Sequence, residues 1–262
     1  MFVIGELING MYLSIARAIK EKDKAEIQKC AQVQIEAGAD ALDINCGPGC
    51  KDPVTDIQWL VETIQEVTDK TLVLDSSKSK VIESGLKVIK NKVIINSTMA
   101  DPEKLEIFLP LAKKYNAKLI GLAMSSKGVP QNKDQRLELA AQIVSTCQDV
   151  GFPVEDLYLD PILLPVNVGQ AQMVDILESI KDFKIISEPS PKTVVGLSNV
   201  SQGTYVRSLV NRTFLVMATA YGLDAAILDP KDTELMNALI TAELILNKQI
   251  YCDSFLDAYK KK

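Results

Sequence analysis

Eight apolar segments of strand length recur along this chain of 262 residues, with amphipathic helical segments between them. The segments are residues 2–8, 39–46, 71–77, 92–98, 118–124, 156–160, 193–199 and 223–229. Strand and helix alternating eight times, at a pitch of about 30 residues, is typical of a (β/α)8 TIM barrel, an α/β fold. We therefore predict a single TIM-barrel domain over residues 1–262. A doubly wound sheet is the alternative, although no GxGxxG turn follows the first segment.

The segments between the strands carry apolar stripes at helical spacing. In residues 53–68 these side chains fall on one helix face: Ile57, Leu60, Val61, Ile64 and Val67. Comparable stripes predict helices within residues 103–115, 134–150, 212–222 and 232–247. The tail, residues 249–262, is predicted to form a short terminal helix.

Charge and missing residue types exclude several classes of function. The formal net charge is -5 and the cations are scattered among acids, so we expect no nucleic acid as a partner. No apolar run is long enough to cross a bilayer and the chain opens on a strand-like segment, so we expect no membrane association and a cytoplasmic location. Five cysteines without zinc-type spacing, in a chain without histidine, argue against a disulfide framework and a bound metal.

Polar side chains stand at the ends of the apolar segments, where a barrel of this kind builds its active site. Asp75, Asn96 and Asp160 each follow an apolar run, and Asn199 follows TVVGLS. Any one of them could instead cap the next helix, and two serines after Asp75 keep that interpretation open there. Acids and amides that converge from several strands suit a flat, neutral heterocycle with alternating hydrogen-bond donors and acceptors, such as a pterin.

Longer motifs surround these strand ends. They are GELING at 5–10, LDINCGP at 42–48, LDSS at 74–77, INST at 95–98, LDP at 159–161, GLSNVSQ at 196–202, NRTFL at 211–215 and GLDAAI at 222–227. In order and spacing they closely resemble the methyltetrahydrofolate:corrinoid protein methyltransferases, which are pterin-binding (β/α)8 barrels. The match covers essentially the whole chain. Dihydropteroate synthase is a more distant relative of that family.

The resemblance implies a role for each matching position. Three strand-end residues would hold the pterin edge by hydrogen bonds: Asp75, Asn96 and Asp160. Asn199 would bond near N5, the nitrogen that carries the methyl group. Gln202 and Arg207 would lie toward the p-aminobenzoate part of the folate.

The reaction implied by the resemblance is an in-line displacement. Co(I) of a cobalamin-type corrinoid, carried by a separate corrinoid protein, attacks the methyl carbon of 5-methyltetrahydrofolate, and tetrahydrofolate leaves. A tertiary amine is a poor leaving group, so we expect Asn199 to supply N5 with a strong hydrogen bond as the C–N bond breaks. The resemblance leaves the direction of methyl transfer open. The protein could belong to an acetogenic pathway, or to an O-demethylase system that delivers the methyl group to tetrahydrofolate. The resemblance also implies a homodimer.

One position departs from the family pattern. The first motif commonly reads GERIN, and this chain has Leu7 where the family has arginine. A charged group able to pair with a neighbouring acid, such as Glu6 or Asp43, is therefore absent. This substitution leaves open which branch of the family the chain represents.

Two other functions remain as alternatives. A dihydropteroate synthase is expected to carry a glycine-rich phosphate loop with lysine after its DP motif, whereas PILLPVNVGQ follows Asp160 here. A folate-binding barrel without catalysis would bind methyltetrahydrofolate and transfer no methyl group.

Overall fold

A computed structural model describes residues 1–251 of the chain, so residues 252–262, which include most of the predicted terminal helix, lie outside the described part. Eight parallel strands form a closed barrel in sequence order, which confirms the predicted (β/α)8 fold. The strands are β1 (Phe2–Asn9), β2 (Ala41–Asn45), β3 (Thr71–Asp75), β4 (Val93–Met99), β5 (Lys118–Leu122), β6 (Leu157–Asp160), β7 (Lys192–Gly196) and β8 (Ala225–Leu228). Every predicted segment overlaps one of them. Pairing of β8 with β1 closes the barrel.

Helices connect the strands. They are α1 (Leu13–Glu21), α2 (Lys24–Glu36), α3 (Pro53–Gln65), α4 (Ser79–Val88), α5 (Pro102–Lys114), α6 (Lys133–Asp149), α7 (Val166–Gly169), α8 (Met173–Phe183), α9 (Arg207–Ala220) and α10 (Thr233–Ile245). The five helices predicted from apolar stripes are α3, α5, α6, α9 and α10. Within residues 1–251, no helix has both the length and the apolar character needed to cross a bilayer.

Local sequence explains where α3 begins and which face it buries. Pro53 occupies the first turn, where its missing N–H costs no hydrogen bond, and the Asp52 side chain accepts from the N–H of Thr55. The apolar stripe of α3, which includes Ile57 and Leu60, is buried against the barrel. The longer helices also bury apolar side chains against the strands, which are therefore covered on their outer face as well.

Alternation along each strand separates two apolar regions. In β3, Leu72 and Leu74 belong to the core between strands and helices, whereas Val73 faces the barrel interior. This alternation fixes which residues can reach the mouth of the barrel from inside.

Candidate active site

The barrel interior is built in layers, and the layer at its carboxyl end is polar. Each strand gives one buried side chain to an apolar layer: Ile4, Ala41, Val73, Ile94, Ile120, Tyr158, Val194 and Ala225. Because side chains alternate along a strand, the residues two positions later also face the interior. Those residues are Glu6, Asp43, Asp75, Asn96, Leu122, Asp160, Gly196 and Ile227. We name their polar members the polar layer: Glu6, Asp43, Asp75, Asn96 and Asp160.

Side-chain hydrogen bonds join β2, β3 and β4 in this layer. Asn96 Nδ2 donates to Asp43 Oδ1 at 3.1 Å, and Asn45 Nδ2 donates to Asp75 Oδ2 at 2.7 Å. Asp75 and Asn96 are partners in the register of β3 and β4. The capping interpretation of Asp75 is wrong, because α4 begins only at Ser79 and no side chain caps it. The structure therefore brings Asp75 and Asn96 together on one interior surface.

Asp160 is held by backbone amides at the end of β6. Its Oδ1 accepts from the N–H of Ile162 at 2.7 Å. The N–H of Gly196, at the end of β7, also bonds to the carboxyl group. Burial outweighs both bonds and raises the pKa of Asp160 to about 7. The carboxyl group is thus nearly balanced between its neutral and charged forms at neutral pH, and a ligand with N–H donors can draw it into the charged form.

The other carboxyl groups of the polar layer are shifted in the same direction. Burial raises the pKa of Glu6 and the pKa of Asp75. It also raises the pKa of Asp43 well above its usual range, and the negative charge of Asp75 adds to this shift. Arg207 is the cation whose charge acts on Glu6. A buried group of acids of this kind favours a neutral ligand rich in N–H donors over an anion.

The described part of the chain contains no cluster of side chains typical of a metal site. Among residues 1–251, no group of three or more His, Cys, Asp or Glu side chains is arranged to hold a metal ion. The polar groups at the site are carboxyl, amide and hydroxyl groups, with Arg207 nearby.

Asn199 lies in the turn after β7. The apolar segment at 193–199 extends beyond the strand, because β7 ends at Gly196 and Leu197–Asn199 form a 3₁₀ turn. Leu197 is buried in the outer core, and the hydroxyl of Ser198 bonds to Glu6 in the interior. A Cβ built on Gly196 would be 3.0 Å from the Asn199 Nδ2 atom. The exposed Asn199 amide thus lies over a position of the interior layer that has no side chain.

Gln202 and Arg207 follow Asn199 on the same loop. Gln202 is exposed, and its backbone N–H donates to the carbonyl of Asn199 at 3.2 Å. Arg207 is the first residue of α9, and its Nε donates to Ser201 Oγ at 3.1 Å. The structure places both residues at the mouth of the barrel, and their role toward p-aminobenzoate stays a prediction.

Sequence reasoning gave no role to Asn45 or to the pair Glu6 and Ser198. Asn45 ends β2, whereas Glu6 lies inside β1, so the strand-end position is a signal for Asn45 alone. Their partners are distant along the chain: the hydroxyl of Ser198 donates to Glu6 Oε1 at 2.7 Å across 192 residues. Such contacts between distant parts of the chain can be identified only from the three-dimensional structure.

Leu7 faces away from the polar layer. Between Gly5 and Ile8, β1 contains one residue more than β2, so Leu7 and Ile8 both point outside the barrel. Leu7 lines an outer cavity of about 330 Å³ beside α2. Its N–H donates to Gln34 Oε1 at 2.9 Å. Position 7 therefore faces away from Asp43 and from the side chain of Glu6.

The family comparison agrees with a pterin-type site. The family model described as pterin binding enzyme matches residues 8–229. A methylcorrinoid:tetrahydrofolate methyltransferase from Eubacterium limosum is 25% identical over 263 residues, covering 100% of this chain and 97% of that protein. The matched range includes every residue that the sequence predicted for the site, Asp75 through Arg207.

Solved structures with the same fold include two dihydropteroate synthases. The Yersinia pestis enzyme, solved with a pterine-sulfa conjugate, has a TM-score of 0.68 and 18% identity, covering 94% of each chain. The Clostridium difficile enzyme, solved in the presence of pteroic acid, has a TM-score of 0.69 and 16% identity, covering 94% of this chain and 96% of the other. At these identities the similarity shows the barrel fold alone.

Proposed function

Because this chain belongs to the family of pterin-binding enzymes, we propose that it moves a methyl group between N5 of methyltetrahydrofolate and the cobalt of a corrinoid carried by a partner protein. The observation that supports this most is the position of Asn199, whose amide lies at the edge of a buried layer of carboxyl and amide groups. The Eubacterium limosum relative is named a methylcorrinoid:tetrahydrofolate methyltransferase, and the match covers 97% of it.

The polar layer supplies what a pterin edge needs. Asp75 and Asp160 can each accept N–H bonds from the 2-amino-4-oxo edge of the ring, and Asn96 offers both a donor and an acceptor. Asp43 holds Asn96 through their bond of 3.1 Å. Asn45 holds Asp75 in the same way at 2.7 Å. These supports fix the orientation of the groups that would meet the ring.

Asn199 acts at the leaving nitrogen in this proposal. The corrinoid cobalt supplies the electron pair for the new bond to the methyl carbon, and the electron pair of the C–N5 bond stays on N5. The Asn199 amide donates a hydrogen bond to the developing charge on N5, while the proton itself arrives from solvent, because an amide is not an acid at neutral pH. In the reverse direction the same contact stabilises the same transition state. Gln202 and Arg207 would lie along the p-aminobenzoate part.

Gly196→Ala should slow methyl transfer by displacing the Asn199 amide. Gly196 has a φ of −78°, which any residue adopts, so alanine causes no backbone strain and its effect reports on side-chain contact. The added Cβ would lie 3.0 Å from Asn199 Nδ2. We expect a rate lowered by about threefold to tenfold in a methyl-transfer assay.

Gly49→Ala is the matched control, because nothing lies within 4 Å of a Cβ at that position. It should leave both the rate and the affinity for methyltetrahydrofolate unchanged. A Gly196→Ala variant that loses affinity but keeps its rate would mean that the alanine side chain contacts the folate and not Asn199.

Affinity for methyltetrahydrofolate should increase as the pH rises toward about 7, the pKa of Asp160. Its raised pKa means that the folded protein binds the Asp160 proton more tightly than the unfolded chain, so this group lowers the folding stability as the pH rises from 3.8 to about 7. The N–H donors of a bound ligand favour the charged form of Asp160, so the ligand binds more tightly as this carboxyl group loses its proton. Calorimetric titration should show a limiting slope of about tenfold per pH unit below that pKa.

Asp160→Asn tests the source of this slope. The variant cannot be ionised, so its weaker folate affinity should lose the part of the pH dependence that lies near 7. An unchanged pH profile in Asp160→Asn would assign the slope to another group of the polar layer.

A dihydropteroate synthase reaction fits this site less well. In TIM barrels the loops after the seventh and eighth strands often bind phosphate. Here those loops and β1 surround a cavity of about 210 Å³ lined by the acids Glu6, Asp229 and Asp232. Among the described residues that line it, Arg207 carries the only positive charge. A pterin pyrophosphate would meet carboxylates there, so we expect no pteroate product from this substrate and p-aminobenzoate.

Methyl transfer between methyltetrahydrofolate and free reduced cobalamin, followed in both directions, is the experiment that tests the proposal. It also separates the enzyme from a folate-binding barrel without catalysis, which would bind the folate and leave the cobalamin unchanged.

A further inference from the structure

The Asn199 side chain has no anchor of its own. It is exposed, and its amide makes no hydrogen bond to any of residues 1–251. A Cβ added to Gly196 would lie 3.0 Å from the Asn199 Nδ2 atom, and this glycine has no side chain that could hold the amide. The position of the amide must therefore be set by the backbone of the turn that carries it.

That turn is fastened at Ser198, the residue directly before Asn199. The Ser198 hydroxyl donates to Glu6 Oε1 at 2.7 Å. Its carbonyl oxygen accepts from Arg207 Nη2 at 3.3 Å and from the Ser201 hydroxyl at 3.3 Å. Arg207 Nε also donates to Ser201 Oγ at 3.1 Å. The Glu6 bond is the one side-chain bond of Ser198 that reaches into the barrel interior.

Glu6 reaches this turn across a neighbouring strand. It belongs to β1, which pairs with β8, whereas the turn follows β7 on the far side of β8. Within residues 1–251 the hydroxyl of Ser198 is its one hydrogen-bond partner. The charged groups that act on it are Asp229, Arg207 and Asp43. Burying a carboxyl group costs free energy, and one hydrogen bond from a serine hydroxyl does not offset that cost.

We propose that Glu6 is a positioning residue for Asn199: by holding Ser198, it fixes the turn so that the amide of Asn199 lies over Gly196 and can reach N5 of the folate. This inference rests on the proposed methyl transfer. It adds a residue of β1, which is separated from the turn by β8. Glu6 needs no contact with the folate for this role, and it acts through the oxygen that accepts the Ser198 hydrogen bond.

Glu6→Ala and Ser198→Ala should each lower the rate of methyl transfer by about tenfold to a hundredfold, with folate affinity changed by less than about twofold. Glu6→Gln keeps an oxygen acceptor for the hydroxyl and should recover most of the rate. Because both alanine changes break the same link, the double variant should be no slower than either single one. Asp229→Asn removes a neighbouring charge and no bond to the turn, so its rate should match the wild type.

Nitrogen-15 labelling of asparagine side chains follows the Asn199 amide without any need for catalysis, with its signal assigned by its loss in Asn199→Ala. The signal should move or broaden in Glu6→Ala and Ser198→Ala and keep its position in Glu6→Gln and Asp229→Asn.

An unmoved Asn199 signal in Glu6→Ala would overturn the positioning role, and so would additive rate losses in the double variant. Weakened folate binding in Glu6→Ala would also overturn it, by showing that Glu6 acts on the ligand. A wild-type protein that transfers no methyl group would overturn the proposed function instead, and the signal would still test whether Glu6 positions Asn199.

Discussion

Asn199→Ala is expected to slow methyl transfer by about a hundredfold, and by no less than about tenfold, because a donor aimed at developing charge is lost. Affinity for methyltetrahydrofolate should stay within about tenfold of the wild type, since the contact with N5 is realised mainly in the transition state. The groups proposed to hold the pterin, Asp75 and Asp160, do not depend on Asn199 for their hydrogen bonds. Single-turnover kinetics and calorimetric titration measure the two quantities separately.

Asn199→Asp separates the donor from the acceptor at this position. Aspartate keeps the size of the side chain but removes its N–H donor, so its rate should also fall, whereas an acceptor role would leave the rate intact. An unchanged rate in Asn199→Ala would remove Asn199 from the chemistry and return it to a loop residue.

Asp75→Ala is expected to weaken binding of methyltetrahydrofolate by about tenfold to a hundredfold, the value of a hydrogen bond to a charged group. The change removes the acceptor and leaves Asn45 Nδ2 without its partner at 2.7 Å. Burial raises the pKa of Asp75, so the native fold holds this carboxylate at a cost. Relief of that cost offsets the loss of the Asn45 hydrogen bond, so the melting temperature should change little while affinity falls.

Asp52→Ala is the matched control for Asp75. Asp52 caps α3 by accepting from the N–H of Thr55, so its loss should lower the melting temperature without changing folate affinity. If Asp75→Ala behaved like Asp52→Ala, Asp75 would be a structural residue and the proposed pterin contact would be wrong.

The eight strands could be predicted because strands covered on both faces are continuously apolar, and the chain repeats that signal at regular intervals. Strand-end polar residues could be predicted for the same reason, and the alternation of side chains places Asp75, Asn96 and Asp160 in one layer. The apolar run does not mark the exact end of β7, because Leu197 continues the run after the strand has ended at Gly196.

Contacts across the closed barrel could not be predicted from the sequence. The bond between Ser198 and Glu6 joins positions 192 residues apart, and no local pattern marks it. The extra residue in β1 is equally hidden, and it decides that Leu7 faces α2 and not the polar layer. Both features depend on strand register, which the hydrophobic pattern specifies only approximately.

Single-turnover transfer between methyltetrahydrofolate and free Co(I) cobalamin tests the proposed reaction most directly. With the wild-type protein, the Co(I) absorbance should disappear as methylcobalamin and tetrahydrofolate form in equal amounts, and methylcobalamin with tetrahydrofolate should give the reverse reaction. Saturable binding of methyltetrahydrofolate with no change in the cobalamin spectrum in either direction would contradict it.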